Sequence, residues 1–329
     1  MKPDILIVAD FPDWAFYEIQ QFIKNNLSDD FNIYSDYLVY NTKKKSKNPI
    51  KRIKTALEKK KYQEIKKDKH YDIVVYLAFY FEGLMLNDWT TKHIIKGVYT
   101  DGFPPQNSDF KGDFSAFIKT YFSNCNAIIC GSEQIHEIYK KSSVPSYNLN
   151  VVKDTQLFKR ISEKQLNLSQ EFIIGWTGNP NRHFKGLDSH IIPAIEIAKK
   201  KYPGIELKTR FSGSFTSLPR FFDDVDLVLI ASNADADPSL FGEASLMEVP
   251  SISTSIGRIK DVIVDNRNGF IVNKDSQEMA DKILYCYENR AHLLKMSKQI
   301  RNDFMIVFDP AIVIKNWKHA FNKVLRENL

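Results

Sequence analysis

A chain of 329 residues with 43% hydrophobic content can build two domains of ordinary size, each around its own core. Its three cysteines, Cys125, Cys130 and Cys286, are too few and too irregularly spaced for a disulfide framework or a zinc site, which points to a reducing, cytoplasmic setting. The net charge is +6, and no stretch approaches the roughly 20 apolar residues that cross a bilayer, so any membrane contact is expected to be peripheral.

The chain opens MKPDILIVAD, an apolar run too short for a signal peptide and suited to a buried first strand. Further strands are predicted at residues 72–77, 95–99, 127–130, 172–176, 205–211 and 227–231. Helical spacing of apolar residues predicts helices at 17–26, 133–141, 187–201 and 276–288. Strand and helix alternating in this way imply parallel sheets covered on both faces, with binding sites at the carboxyl ends of the strands. Between Lys43 and His70 there are 13 Lys or Arg against three Asp or Glu. Ile50, Ile53, Leu57 and Ile65 give this segment one apolar face. Such a helix suits an anionic membrane surface or a polyanionic substrate, and equally a solvated exterior.

The polar, aperiodic stretch 155–171 reads as the linker between a first domain, 1–160, and a second, 161–308. The tail, 309–329, reads as a closing helix with Ile312, Ile314, Trp317, Phe321 and Val324 on its apolar side.

Two segments have the residue types of an anion site. In FIIGWTGNPNRHFKGLD, 172–188, a strand runs into a Gly, Asn and Pro loop in which glycines such as Gly175 and Gly178 allow close backbone approach beside Asn179, while two cations, Arg182 and Lys185, with His183 between them, stand where they can neutralise a diphosphate. In 227–263, a buried strand ends in an acidic loop with Asp235 and Asp237. Pro238, Ser239 and Leu240 then open a short helix, with Ser239 expected to cap its N-terminus. Glu243 lies one turn inside, where a carboxylate can accept from two adjacent ribose hydroxyls. Taken singly, these acids also suit a solvated loop and a helix-dipole partner.

Together the two segments resemble the C-terminal domain of a retaining GT-B glycosyltransferase of family 4. The likeness rests on Arg182, Lys185-Gly186, Asp235 eight residues before Glu243, PSISTSIG at 250–257 and DVI at 261–263, and DNRNGFIV at 265–272 resembles a following hairpin. It implies two Rossmann-like, doubly wound parallel-sheet α/β domains facing a cleft: the first for the acceptor, the second for a nucleotide sugar, with the tail closing back toward the first. In the first half, AIICGSEQIHEIYKK and VVKDTQLF resemble the last strand, helix and exit strand of such a domain. VYTDGFPP places Asp101 where the family carries a sugar-side histidine.

The resemblance implies sugar transfer from a nucleotide diphosphate to a glycan or lipid-linked acceptor, with retention and with no metal or other cofactor. Arg182 and Lys185 would stabilise the leaving diphosphate, Asp235 the donor sugar, and Asp101 the sugar from the other domain. Gly178, Asn179, His183, Asp237, Pro238, Ser239, Leu240 and Glu243 would hold the donor. Asp235 stands where the family has Glu, and Leu246, Met247 and Glu248 replace its small residues. Phe11, Asp13 and Trp14 take the place of its Gly-Gly loop on the acceptor side. A sugar-nucleotide-binding protein without catalysis and a transferase acting on a polyanionic acceptor are the alternatives; nucleic acid is disfavoured because stacking aromatic residues do not alternate with the cations of the basic run.

Overall fold

The computed structural model describes residues 1–12, 15–42, 49–65, 68–86, 89–99, 110–149, 153–163, 165, 169, 171–233 and 235–326, with backbone only at 49–54. The chain divides into two compact units, Met1–Val152 with Pro310–Leu329, and Lys153–Asp309.

The first unit runs β1 (Asp4–Ala9), α1 (Ala15–Leu27), β2 (Asn32–Tyr37), α2 (Leu38–Asn41), α3 (Pro49–Tyr62), β3 (His70–Tyr76), α4 (Phe81–Leu84), β4 (Thr90–Val98), α5 (Phe114–Phe122), β5 (Ala127–Cys130), α6 (Glu133–Tyr139) and β6 (Ser146–Asn148). Its six strands form one parallel sheet in the order β2-β1-β3-β4-β5-β6. Alternate residues of β1 feed opposite faces, as the period of two requires. Ile5, Ile7 and Ala9 join one core cluster, and Leu6 and Val8 join another with Phe81 and Trp89.

The second unit runs β7 (Phe172–Thr177), α7 (Ile192–Lys199), β8 (Ile205–Arg210), β9 (Leu227–Ile230), α8 (Ser239–Leu246), β10 (Ser251–Thr254), α9 (Ile259–Val262), β11 (Phe270–Val272), α10 (Ser276–Glu288) and α11 (Arg290–Val307). Its five strands are parallel in the order β11-β10-β9-β7-β8. The last helix, α12 (Pro310–Arg326), belongs to the first unit.

Four expectations shift. The segment DNRNGFIV is not a hairpin: β11 pairs parallel to β10 at the sheet edge. In α12 the buried face is Val313, Trp317, Ala320, Phe321 and Val324, whereas Ile312 is exposed, because a spacing of three and four keeps residues on one side. Leu57 of the basic helix is also exposed, so it does not extend an inward apolar face. Finally, residues 153–160, placed largely in the first domain and its linker, dock on the second unit. Phe158 is in its core, Arg160 donates to the Phe222, Met247 and Asp223 carbonyls, and Arg301 donates to the Phe158 carbonyl. Among the described residues no helix is long and apolar enough to cross a membrane.

Candidate functional site

In the second sheet β7 is flanked by β8 on one side and β9 on the other, so the direction in which successive strands are added reverses between β7 and β9, while all the strands stay parallel. Loops leaving the carboxyl ends of two such strands part and open a crevice. The loop after β7 holds Gly178 to Gly186, and the loop after β9 runs into α8.

Local sequence builds the first loop tightly. The Asn179 side chain accepts from the Asn181 backbone at 2.9 Å, and the Arg182 N–H returns to the Asn179 carbonyl at 3.1 Å. His183–Lys185 form a single 3-10 turn, closed by Gly186 at φ +73°. A β-carbon at Gly186 would collide with the Ala231 carbonyl, so glycine lets this loop seat against the end of β9. The second loop is held from its other side: Gly257, at φ +46°, lies so close that a β-carbon there would overlap the Asp235 and Ala236 carbonyls. The Asn233 N–H donates to the Phe184 carbonyl at 3.0 Å, the Thr254 hydroxyl to the Ser232 carbonyl at 2.9 Å, and the Arg258 N–H to the Ala236 carbonyl at 3.0 Å.

This frame brings together residues that lie 50 apart in sequence. The Lys185 Nζ stands 3.7 Å from Oδ2 of Asp235, each side chain 19% exposed. Burial pushes the Asp235 carboxyl above its ordinary value, while Lys185, the Asp237 backbone N–H and Arg182 act to lower it. Arg182, His183 and Asn179 are exposed on the loop, and Asp237 is half-buried beside Asp235.

Asp235 therefore binds protons more readily folded than unfolded, so its contribution to stability is fully present below the unfolded carboxylate range and is lost as pH rises through the higher folded value. Stability of the wild type relative to Asp235→Asn is accordingly expected to fall as pH rises across that window and to level off above it. Paired urea titrations from pH 3.5 upward check this, about 3.9 being the unfolded Asp value; a flat difference would show that the carboxyl is not desolvated.

The residues on α8 are arranged differently from the expectation. Ser239 does not cap the helix. It is the first helical residue, after Pro238, with no side-chain capping bond, and its Oγ accepts from the Lys153 Nζ at 3.1 Å. Glu243 is 4% exposed, and its Oε1 lies 3.8 Å from the same Nζ. Leu240 and Pro238 are buried, Leu240 within the core. Lys153 was not among the candidates. The only hint was a cation directly after the apolar pair Val151-Val152, since its partners lie some 90 residues downstream.

In the first unit, Phe11 is 42% exposed just past β1, and its N–H donates to the Asp10 carboxylate at 2.8 Å. Asp13, Trp14 and Asp101 lie outside the described residues. No group of three His, Cys, Asp or Glu suited to a metal ion occurs among the described residues.

Two parallel Rossmann-like units with these crevice loops define the GT-B fold, and comparison with solved structures agrees. Sucrose-phosphate synthase from Thermosynechococcus elongatus superposes with a TM-score of 0.68 at 12% identity, over 98% of this chain and 99% of that one. HepE from Anabaena in complex with UDP-glucose gives 0.66 at 12% identity, over 98% and 100%. S. aureus TarM, a mutant in complex with Fondaparinux, alpha-GlcNAc-glycerol and UDP, gives 0.60 at 18% identity over 78% of this chain, which spans 55% of the TarM chain. Residues 167–289 match the family model described as Glycosyl transferases group 1, a segment that includes the crevice loops and α8. No match is found among the curated proteins.

Proposed function

We propose that this protein is a glycosyltransferase that takes a sugar from a nucleoside diphosphate and joins it, with retention, to a hydroxyl of a glycan or lipid-linked acceptor. The observation that carries the reading is the meeting of Lys185 and Asp235 at the switch point of the second sheet, inside the segment that matches the group 1 glycosyltransferases. In this reading Arg182 and Lys185 receive the charge that builds on the diphosphate as its bond to the sugar C1 breaks. Asp235 and Asp237 orient the donor sugar, and Glu243 the ribose. The acceptor oxygen bonds to C1 on the face the phosphate leaves, and its proton passes to the departing phosphate oxygen. Asp101 is assigned to the sugar, and Phe11, Asp13 and Trp14 to the acceptor side. The two cations do the work of a divalent ion, so turnover is expected to persist in EDTA.

The first test is calorimetric titration with a panel of nucleoside diphosphates and their sugars, in EDTA, of the wild type and Glu243→Ala. Uridine nucleotides lead the panel because structures of similar fold hold UDP or UDP-glucose. Micromolar binding of one base, weakened by the substitution, supports the donor site. No binding of any nucleotide would end the transferase reading.

A further inference from the structure

We propose that Lys153 is a positioning residue of the donor site, its ammonium clamping the Glu243 carboxylate to receive the two ribose hydroxyls of a nucleoside diphosphate. The inference rests on the reading of Glu243 as the ribose ligand and adds a residue to it.

Lys153 is the first residue of the second unit, and it is 3% exposed. Lysines are almost never that buried without a counter-charge. Here the counter-charge is Glu243, 3.8 Å away, and the ammonium also donates to the Ser239 hydroxyl at 3.1 Å. Residues 239 and 243 stand one helical turn apart on α8, so a single cation reaches both. The stem of the lysine gets there by lying across Gly242: its Cγ would be 3.1 Å from a β-carbon at that position. The absence of a side chain at 242 thus allows a cation on the segment entering the unit to pair with an acid on its buried helix.

The chemical consequence concerns diols. A carboxylate held in one orientation accepts a hydrogen bond at each oxygen from adjacent hydroxyls, and charge-assisted bonds of this kind are about twice as strong as neutral ones. Without the cation, a carboxylate in so dry a place takes up a proton or swings toward water. Either change removes an acceptor from the ribose without touching the diphosphate or base contacts. Lys153 therefore governs how strongly the site prefers a ribose over a sugar lacking those hydroxyls, which a packing role alone would not alter.

The experiment is calorimetric titration of UDP and of 2′,3′-dideoxyuridine diphosphate into the wild type, Glu243→Gln, Lys153→Met, Lys153→Gln and Lys153→Arg, each first shown to melt cooperatively. Wild type is expected to prefer UDP by about 150-fold or more, the worth of two hydrogen bonds to a charged group. The preference should drop below about threefold in Glu243→Gln, Lys153→Met and Lys153→Gln, and return in large part in Lys153→Arg. Lys153→Gln keeps a donor beside the carboxylate, so it carries the comparison if Lys153→Met does not fold. A wild-type preference retained in the folded neutral variants, with Glu243→Gln having lost it, would overturn the role of Lys153 and leave the donor site standing. Wild type that binds neither nucleotide would overturn the transferase reading itself.

Discussion

Lys185→Met is expected to lower nucleotide-sugar turnover by about 10² to 10³-fold, the usual loss when one fixed stabiliser of developing charge is removed. The side chain stands in a 3-10 turn pinned by Gly186 against β9, 3.7 Å from Asp235, so it is preorganised and need not be ordered during reaction. Two effects of the substitution must be separated. The methionine removes the charge facing the diphosphate, and it also leaves the desolvated Asp235 without its nearest cation, which raises that carboxyl further. The double variant Lys185→Met/Asp235→Asn relieves the second effect alone. It should regain stability relative to Lys185→Met yet be no faster, because it also lacks the carboxylate assigned to the donor sugar. Arg182 is exposed on the same loop, where solvent screens its charge, and Arg182→Met is expected to cost about tenfold. Release of nucleoside diphosphate at saturating donor measures all three. Turnover of Lys185→Met within threefold of wild type would show that this lysine is not the counter-ion of the leaving group.

Most of the strands and the site loops were legible in the sequence for local reasons, whereas β2 and β6 were not among the expected strands. The helix expected at residues 276–288 forms there, because Asp275 caps it through the Glu278 N–H at 2.8 Å and its apolar residues recur at helical spacing. Gly178, Arg182, Lys185 and Asp235 stood out as candidates because loops suited to phosphate and sugar use few residue types, and the fold brings Lys185 and Asp235 together. What failed to show was set by contacts distant in sequence. The parallel direction of β11 depends on which edge of β10 it meets, and three residues of strand carry no signal for that. The inward face of α12 differs from the expected one at its start, where Val313 and not Ile312 is buried and Ile314 is only partly so, and by the addition of Ala320. Lys153 reads as an ordinary surface cation until Glu243 is folded against it. Asp36 is similar: it is fully buried and accepts from nearby Asn41 and from Gln63, which only the fold brings beside it.

Gly257→Ala is expected to destabilise the protein by about 3 kcal/mol or more and to weaken nucleotide binding, a stability effect that only a few mechanisms reach. Two costs add. At φ +46° an alanine bears the penalty of the left-handed region, about 1–2 kcal/mol. Its β-carbon also falls inside the van der Waals surfaces of the Asp235 and Ala236 carbonyls, which are backbone atoms and cannot rotate away. Relief requires the acidic loop to move, and the Ala236 carbonyl is already engaged by the Arg258 N–H at 3.0 Å. Movement therefore breaks that bond and carries Asp235 away from Lys185. Gly83→Ala provides the comparison, since a β-carbon there meets nothing within 4 Å, and within a helical turn the change should be neutral or stabilising by up to about 1 kcal/mol. Urea midpoints compare stability, and the thermal shift produced by saturating UDP compares the site. If Gly257→Ala unfolded within about 0.5 kcal/mol of wild type, the loop would be adaptable, and Asp235 would owe its position to Lys185 and the Asp237 amide instead of to the glycine behind it.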